Sequence, residues 1–437
     1  MKSKKLIALI VAMVFLLTLT GCNNLGFVVE NMLGAPKLEG DMYPVQQALE
    51  AAVGHDITLK YPSSGDYRSA FVLKDLDSDG TNEAVALYSA TSDGVATMHI
   101  NVIASERKKW TSCGDLSVVG NDVEAVSFAD LDGDGILEII VGWMVYGTVD
   151  KQVGVYTFKE KALTQRAMES YTNFVCGDMS SDGIDDLALV YLNTVDKTAA
   201  AKVLTLNQSG VLESGAVSLD GGVTSYSAPI ISKALDGRPA LYVDAVKGVG
   251  MLTEVVWFED STLKSLYDPV AMETGATYRA STVASRDFNL DGIIDIPFLE
   301  ILDSTANLND SDKVYYTVWH SFDNGALTAT ISTFMNYTDG YYIQVPIEWK
   351  DKIHLLRKTE SRLRIFYGLD SELETFSEEL FRIMAVPDAN YDESDLREQG
   401  YVVIETGGGY VYLTKIAEGN SFNITDDTVK SMFGLIK

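Results

Sequence analysis

A short acidic stretch recurs four times along the chain and constrains its fold more than any other feature. Its fullest copy is Asp130-Leu-Asp132-Gly-Asp134-Gly135-Ile-Leu-Glu138, followed at once by the apolar run Ile139–Trp143. The other copies hold Asp75, Asp77, Asp79, Gly80 and Glu83; Asp178, Ser180, Asp182, Gly183 and Asp186; and Asp287, Asn289, Asp291, Gly292 and Asp295. Each places oxygen donors at the first, third, fifth and ninth positions around a glycine at the sixth. A hard cation such as Ca2+ takes roughly six to eight oxygens, and the glycine permits the sharp turn that gathers them. Without a cation the like charges oppose one another. These donors are therefore the candidate ligands of structural Ca2+.

An EF-hand requires a bidentate Glu at the twelfth position and flanking helices. Here the twelfth residues are Ala86, Val141, Leu189 and Phe298, and the loops run into short apolar β-like segments such as EIIVGWMV and DLALVYLN. The reading is a loop that turns into a buried strand. The sixth-position glycines are spaced by 55, 48 and 109 residues. The doubled last step predicts a hidden copy midway, and Ser232-Lys-Ala234-Leu-Asp236-Gly237-Arg-Pro-Ala240 supplies it. This copy keeps Asp-Gly and the strand but has lost the donors, and Lys233 and Arg238 bring positive charge in their place. Five copies about 50 residues apart point to a repeated β unit, as in propeller blades.

These residues resemble the FG-GAP/VCBS repeats of integrin-like β-propellers, over residues 56–335. The resemblance implies a mainly β fold, an irregular β-propeller of five to seven blades, with Ca2+ held as a structural cofactor in the loops. It departs from the pattern at Ser180, at Asn289 and throughout the hidden copy at Ser232. It also implies that partners use the face away from the metal loops, where segments such as Ser105–Lys109 and Asn307–Asp312 share no repeat pattern.

The amino terminus carries Lys2, Lys4 and Lys5, then apolar residues 6–18, then Leu19-Thr20-Gly21-Cys22. This reads as a signal peptide over 1–21, too short for a spanning helix. Its last four residues resemble a bacterial lipobox, which implies lipidation at Cys22 and a place on the extracellular side of the cytoplasmic membrane of a Gram-positive bacterium. Residues 22–55 then form a lipidated tether and a short helix, VQQALEAAV, with Pro44 at its start and Gly54 past its end. Asp56–Pro62 is expected to complete the last blade and close the ring. The formal net charge of −28 becomes −31 once the three lysines of residues 1–21 are removed. That sign excludes nucleic acid as a partner. Cys113 and Cys176 are expected to be two thiols rather than a disulfide.

After residue 335 the character changes. Residues 336–437 are expected to form a small α+β C-terminal module with a helix at SELETFSEEL, strands at LFRIMAV, YVVIET and YVYLTKI, and a terminal helix capped by Thr425. The alternative is one or two irregular final blades. The four histidines lack metal-ligand spacing, and there is no nucleophile elbow, P-loop or dinucleotide fingerprint. The expectation is a lipid-anchored, calcium-binding module that binds a protein or glycan partner, in adhesion or envelope assembly, and is not an enzyme. The alternative is a glycosidase or lyase on a propeller scaffold, with carboxylates outside the loops.

Overall fold

The computed structural model describes residues 42–436, apart from 93–94, 108, 146–150, 208–211, 268–275, 303–304, 306, 308, 310–312, 350–351, 359 and 371–374. The signal peptide and Cys22 lie outside the described residues. The chain is mainly β: six antiparallel sheets follow one another in sequence order.

The acidic loops explain the repeat. Each joins the first strand of a sheet to the second. In the second sheet, Asp122–Ala129 runs into the Asp130 loop and returns as Glu138–Met144, followed by Lys151–Lys159 and Ala162–Tyr171. The third sheet repeats the plan with Asn173–Gly177, Asp186–Asn193, Thr198–Leu206 and Leu212–Leu219. In the fourth, Ser225–Tyr226 and Ile230–Lys233 share the first place beside Pro239–Lys247, so the hidden copy at Ser232 occupies the equivalent turn. In the fifth, the Asp287 loop leads into Asp295–Ile301, and Arg286 bridges to Asp295 where a first strand would lie.

Alternation along the second strands decides how the sheets stack. In Glu83–Ser92, Val85 and Leu87 face the second sheet, whereas Ala84, Ala86 and Tyr88 face the opposite way. Successive cores then join the first sheet to the second, the second to the third, and so on to the sixth. Among the described residues no hydrophobic core joins the sixth sheet to the first.

Asp56–Pro62 does not close a ring. Phe71–Lys74 covers only the start of the ten-residue strand Glu83–Ser92, and Ile57–Leu59 fills the rest of that edge, Ile57 opposite Ala90. The outer face of the first sheet is covered by the helix Tyr43–Val53, whose Val45 and Leu49 are fully buried against Ala84, Ala86 and Ile103. Pro44 stands at its first turn and Gly54 terminates it with φ +91°, as its sequence predicts.

The C-terminal region is β-rich. The expected division at 335/336 falls inside the strand Ala326–Asn336, which pairs with Tyr341–Val345, and Phe433–Leu435 near the chain end pairs with that strand in turn. One core spans the fifth and sixth sheets. The helix expected at SELETFSEEL is corrected over 375–380, its first four residues lying outside the described residues: Thr375–Pro387 is one long strand, paired by Leu363–Asp370 and Tyr410–Ile416. Ladder bonds to two neighbours outweigh the local helical preference of Glu and Leu. The terminal helix Asp426–Met432 is capped by Thr425 as expected, through a reciprocal pair with Thr428.

Candidate metal centres

Each loop is built by the same backbone contacts. The first-position carboxylate folds back over the turn. Asp75 accepts hydrogen bonds from the amides of Asp79 and Gly80 at 3.1 and 3.0 Å, and Asp130 from those of Gly133 and Gly135 at 2.8 and 2.9 Å. Asp178 and Asp287 do the same to the fifth- and sixth-position amides. The fifth-position acid accepts from the seventh amide in all five copies, including Asp236 from Arg238 at 3.0 Å. The sixth-position glycines sit at φ near +85°, for example +83° at Gly135 and +86° at Gly237, a conformation costly for any residue with a Cβ.

The ninth-position acid is the buried end of each loop. Glu83, Glu138, Asp186 and Asp295 are buried, and each accepts the amide of the second loop residue: Leu76, Leu131, Met179 and Phe288, at 2.9–3.1 Å. Burial raises all four carboxyls above their ordinary range, Glu138 to about 7 and Asp186 to about 6. A cation beside them would offset that cost. The apolar second residue anchors the loop to the core; its recurrence as Leu, Leu, Met and Phe is a sequence signal that the donor pattern overshadowed.

Two loops bring three carboxylates together. Oxygens of Asp75, Asp77 and Glu83 lie within 4.8 Å of one another, as do those of Asp130, Asp132 and Glu138. This all-oxygen set, gathered by one turn, fits a hard cation. Asp79 and Asp134 stand outside these triads, and Asp134 is paired with Lys159 at 2.7 Å. The Asp178 and Asp287 loops contribute a hydroxyl, Ser180, and an amide, Asn289, at the third position. Asn289 donates to Asp291 at 2.8 Å.

In the fourth copy an arginine side chain engages the fifth-position carboxylate. The Nε and Nη2 of Arg238 donate to one oxygen of Asp236 at 2.9 and 2.7 Å, and Nη2 also reaches Asn324 at 2.7 Å. Lys233 is exposed and takes no part in this arrangement. Asp339, outside the five copies, is buried and salt-bridged to Arg362 and Arg364. Cys113 and Cys176 are both free and half-buried.

No protein-family model matches the chain, and no curated protein matches it. Solved structures similar to it include a rhamnogalacturonan lyase of Bacillus licheniformis, at 13% identity over 62% of this chain and 70% of the other, with TM-score 0.30. A putative 6-phosphogluconolactonase of Bacteroides uniformis matches at 11% identity over 74% and 94%, with TM-score 0.28. An exotype rhamnogalacturonan lyase matches at 11% identity over 72% of each chain, with TM-score 0.29. The expectation that the chain is not an enzyme is corrected here. The similar structures are by name two lyases and a putative lactonase.

Proposed function

We propose that the chain is a calcium-binding β-propeller module, lipid-anchored through Cys22 on the extracellular side of a bacterial cytoplasmic membrane, which binds a protein or glycan partner. The convergence of three carboxylates in each of the Asp75 and Asp130 loops carries this reading. The same backbone scaffold is repeated at Asp178 and Asp287 with weaker donor sets. Ca2+ there would be structural, held by the buried ninth-position acid and the carboxylates of the turn before it. Among the described residues no helix is long and apolar enough to cross a membrane.

Extracellular calcium modules bind with Kd of about 0.1–1 mM, so about 1 mM Ca2+ contributes roughly 0.4–1.4 kcal/mol per site. Chelation is expected to lower the melting temperature by roughly 2–5 °C, with most of the loss at the two triad loops. An Asp130→Asn and Asp75→Asn double variant is expected to lose most of that response. An unchanged melting temperature with chelator would overturn the calcium assignment. Cys22→Ala is expected to release the protein from the membrane fraction, and a variant that stays anchored would overturn the lipid assignment.

A second reading, a carbohydrate-active enzyme on this scaffold, is favoured by one observation. A cleft of about 700 Å3 between the third and fourth sheets is lined by Asp260, a carboxylate outside the acidic loops. Reducing or unsaturated ends released from a polysaccharide would establish it.

A further inference from the structure

Neighbouring acidic loops are fastened to one another, with one exception. Between the first and second, the eighth-position amide of Leu137 donates to the carbonyl of Leu76 at 2.8 Å, and the Ser78 hydroxyl donates to the Gly135 carbonyl at 2.8 Å. Between the second and third, the corresponding amide of Asp185 donates to the Asp130 carbonyl at 3.2 Å, and Leu206 donates to Leu131 at 3.1 Å. Between the fourth and fifth, Lys233 bridges Ile293, Ser232 donates to the Gly292 carbonyl at 2.8 Å, and Leu235 donates to Phe322 at 2.9 Å. Between the third and fourth, no backbone hydrogen bond joins the loops among the described residues.

The sequence supplies the reason. The eighth residue of the fourth copy is Pro239, which has no amide hydrogen to donate. The seventh residue adds to the effect. In the third copy it is Ile184, which packs so closely on Gly133 of the preceding loop that a Cβ there would lie 2.7 Å from its terminal carbon. In the fourth copy it is Arg238, which turns back onto Asp236 of its own loop. The joint left open is the cleft of about 700 Å3, with Arg238 and Pro239 on one side and Ser180, Ser181 and Asp182 on the other.

We propose that this open joint is a carbohydrate-binding site that takes a neutral oligosaccharide. The inference rests on the binding-module reading above and names its site and ligand class. The cleft volume is within the range of small-ligand sites, about 300–1,000 Å3. Pro239 and Phe258, the latter half-buried against the core, line the cleft with apolar surface that can meet the C–H groups of a pyranose. Thr205 and Ser261 offer hydroxyls that both donate and accept, and Asp260, outside the acidic loops, accepts from sugar hydroxyls. The single guanidinium is already committed to Asp236, so no cationic cluster is present for a phosphate or sulfate group. A net charge of −28 disfavours anionic ligands further. The resemblance drawn from the sequence placed partners on the opposite face; this cleft lies on the loop side.

The test is calorimetric titration of the full chain with cellohexaose, xylohexaose, mannohexaose and chitohexaose, with hexagalacturonate as the anionic comparison. At least one neutral hexasaccharide is expected to bind with Kd below about 1 mM. Phe258→Ala is expected to weaken binding by about tenfold or more. Thr205→Leu, which fills the cleft from a strand without breaking the loops, is expected to do the same with its melting temperature unchanged. Pro239→Ala restores the missing donor and is expected to weaken binding by letting the joint close. Absence of binding by every neutral hexasaccharide at about 5 mM overturns the proposal. Binding of hexagalacturonate alone also overturns it, as does neutral binding undiminished by Thr205→Leu. Calcium-dependent melting, measured on the same samples, separates the two readings: if it persists without glycan binding, only the cleft assignment fails.

Discussion

Arg279 shows what a single residue can do without any local sequence signal. Its side chain is almost wholly buried and pairs with Asp244 at 2.9 Å, while also donating to Thr253 at 2.9 Å and to the Val283 carbonyl at 2.7 Å. Asp244 in turn accepts from the amide and hydroxyl of Ser285. The network ties the irregular segment before the Asp287 loop to the fourth sheet. Removing one partner leaves a buried charge uncompensated, so Asp244→Ala is expected to cost about 3–5 kcal/mol in chemical denaturation. A loss below about 1 kcal/mol would mean that water reaches Arg279. Glu254 is a second such residue. Burial raises its carboxyl to about 7, against an ordinary 4.5, although the Asp220 amide and Tyr226 hydroxyl donate to it. Because the folded value lies above the unfolded one, its contribution is fully present below about pH 4.5 and is lost as pH rises through about 7. Glu254→Gln keeps an acceptor for both donors and removes the charge. It is expected to flatten the stability profile between about pH 5 and 8 and to raise the melting temperature at pH 8. An unchanged profile would show that Glu254 does not titrate in this window.

At the scale of the element, the loop-to-strand repeat was legible because it combines chemistry and period. Acids at fixed spacing, a glycine with positive φ and a β-branched run together leave few alternatives, and even the degenerate copy at Ser232 fell in phase. SELETFSEEL failed because its residues favour a helix in isolation, while the structure sets Thr375–Pro387 between two partners distant in sequence. Only two of the four loops gather three carboxylates, and this too was partly readable, since Ser180 and Asn289 mark the weaker pair. The sequence did not disclose that Asp134 would pair with Lys159, a residue from the third strand of the same sheet. Cross-strand neighbours follow from register, and register is set by turns whose length the local pattern does not state.

Each sheet of this irregular propeller shares a core with its neighbours, but among the described residues no core joins the sixth sheet to the first. A closed propeller would bury the outer face of its first sheet against its last. Here that face carries Ala84, Ala86 and Tyr88, and the helix Tyr43–Val53 lies over it. The two alanines leave room for the helix, and Val45 and Leu49 contribute about 1.5–3 kcal/mol each by burial. The helix is thus an end cap, and its removal should be felt as association more than as unfolding, since the other cores do not depend on it. Leu49→Asp places a charge in that interface and is expected to displace the helix. The exposed apolar face would then meet a second copy of itself, so light scattering on a size-exclusion column is expected to show dimers or larger species. The far cores should keep their cooperative melting transition. If Leu49→Asp instead stays monomeric while the entire chain loses its transition, the helix is a keystone of the fold rather than a cap.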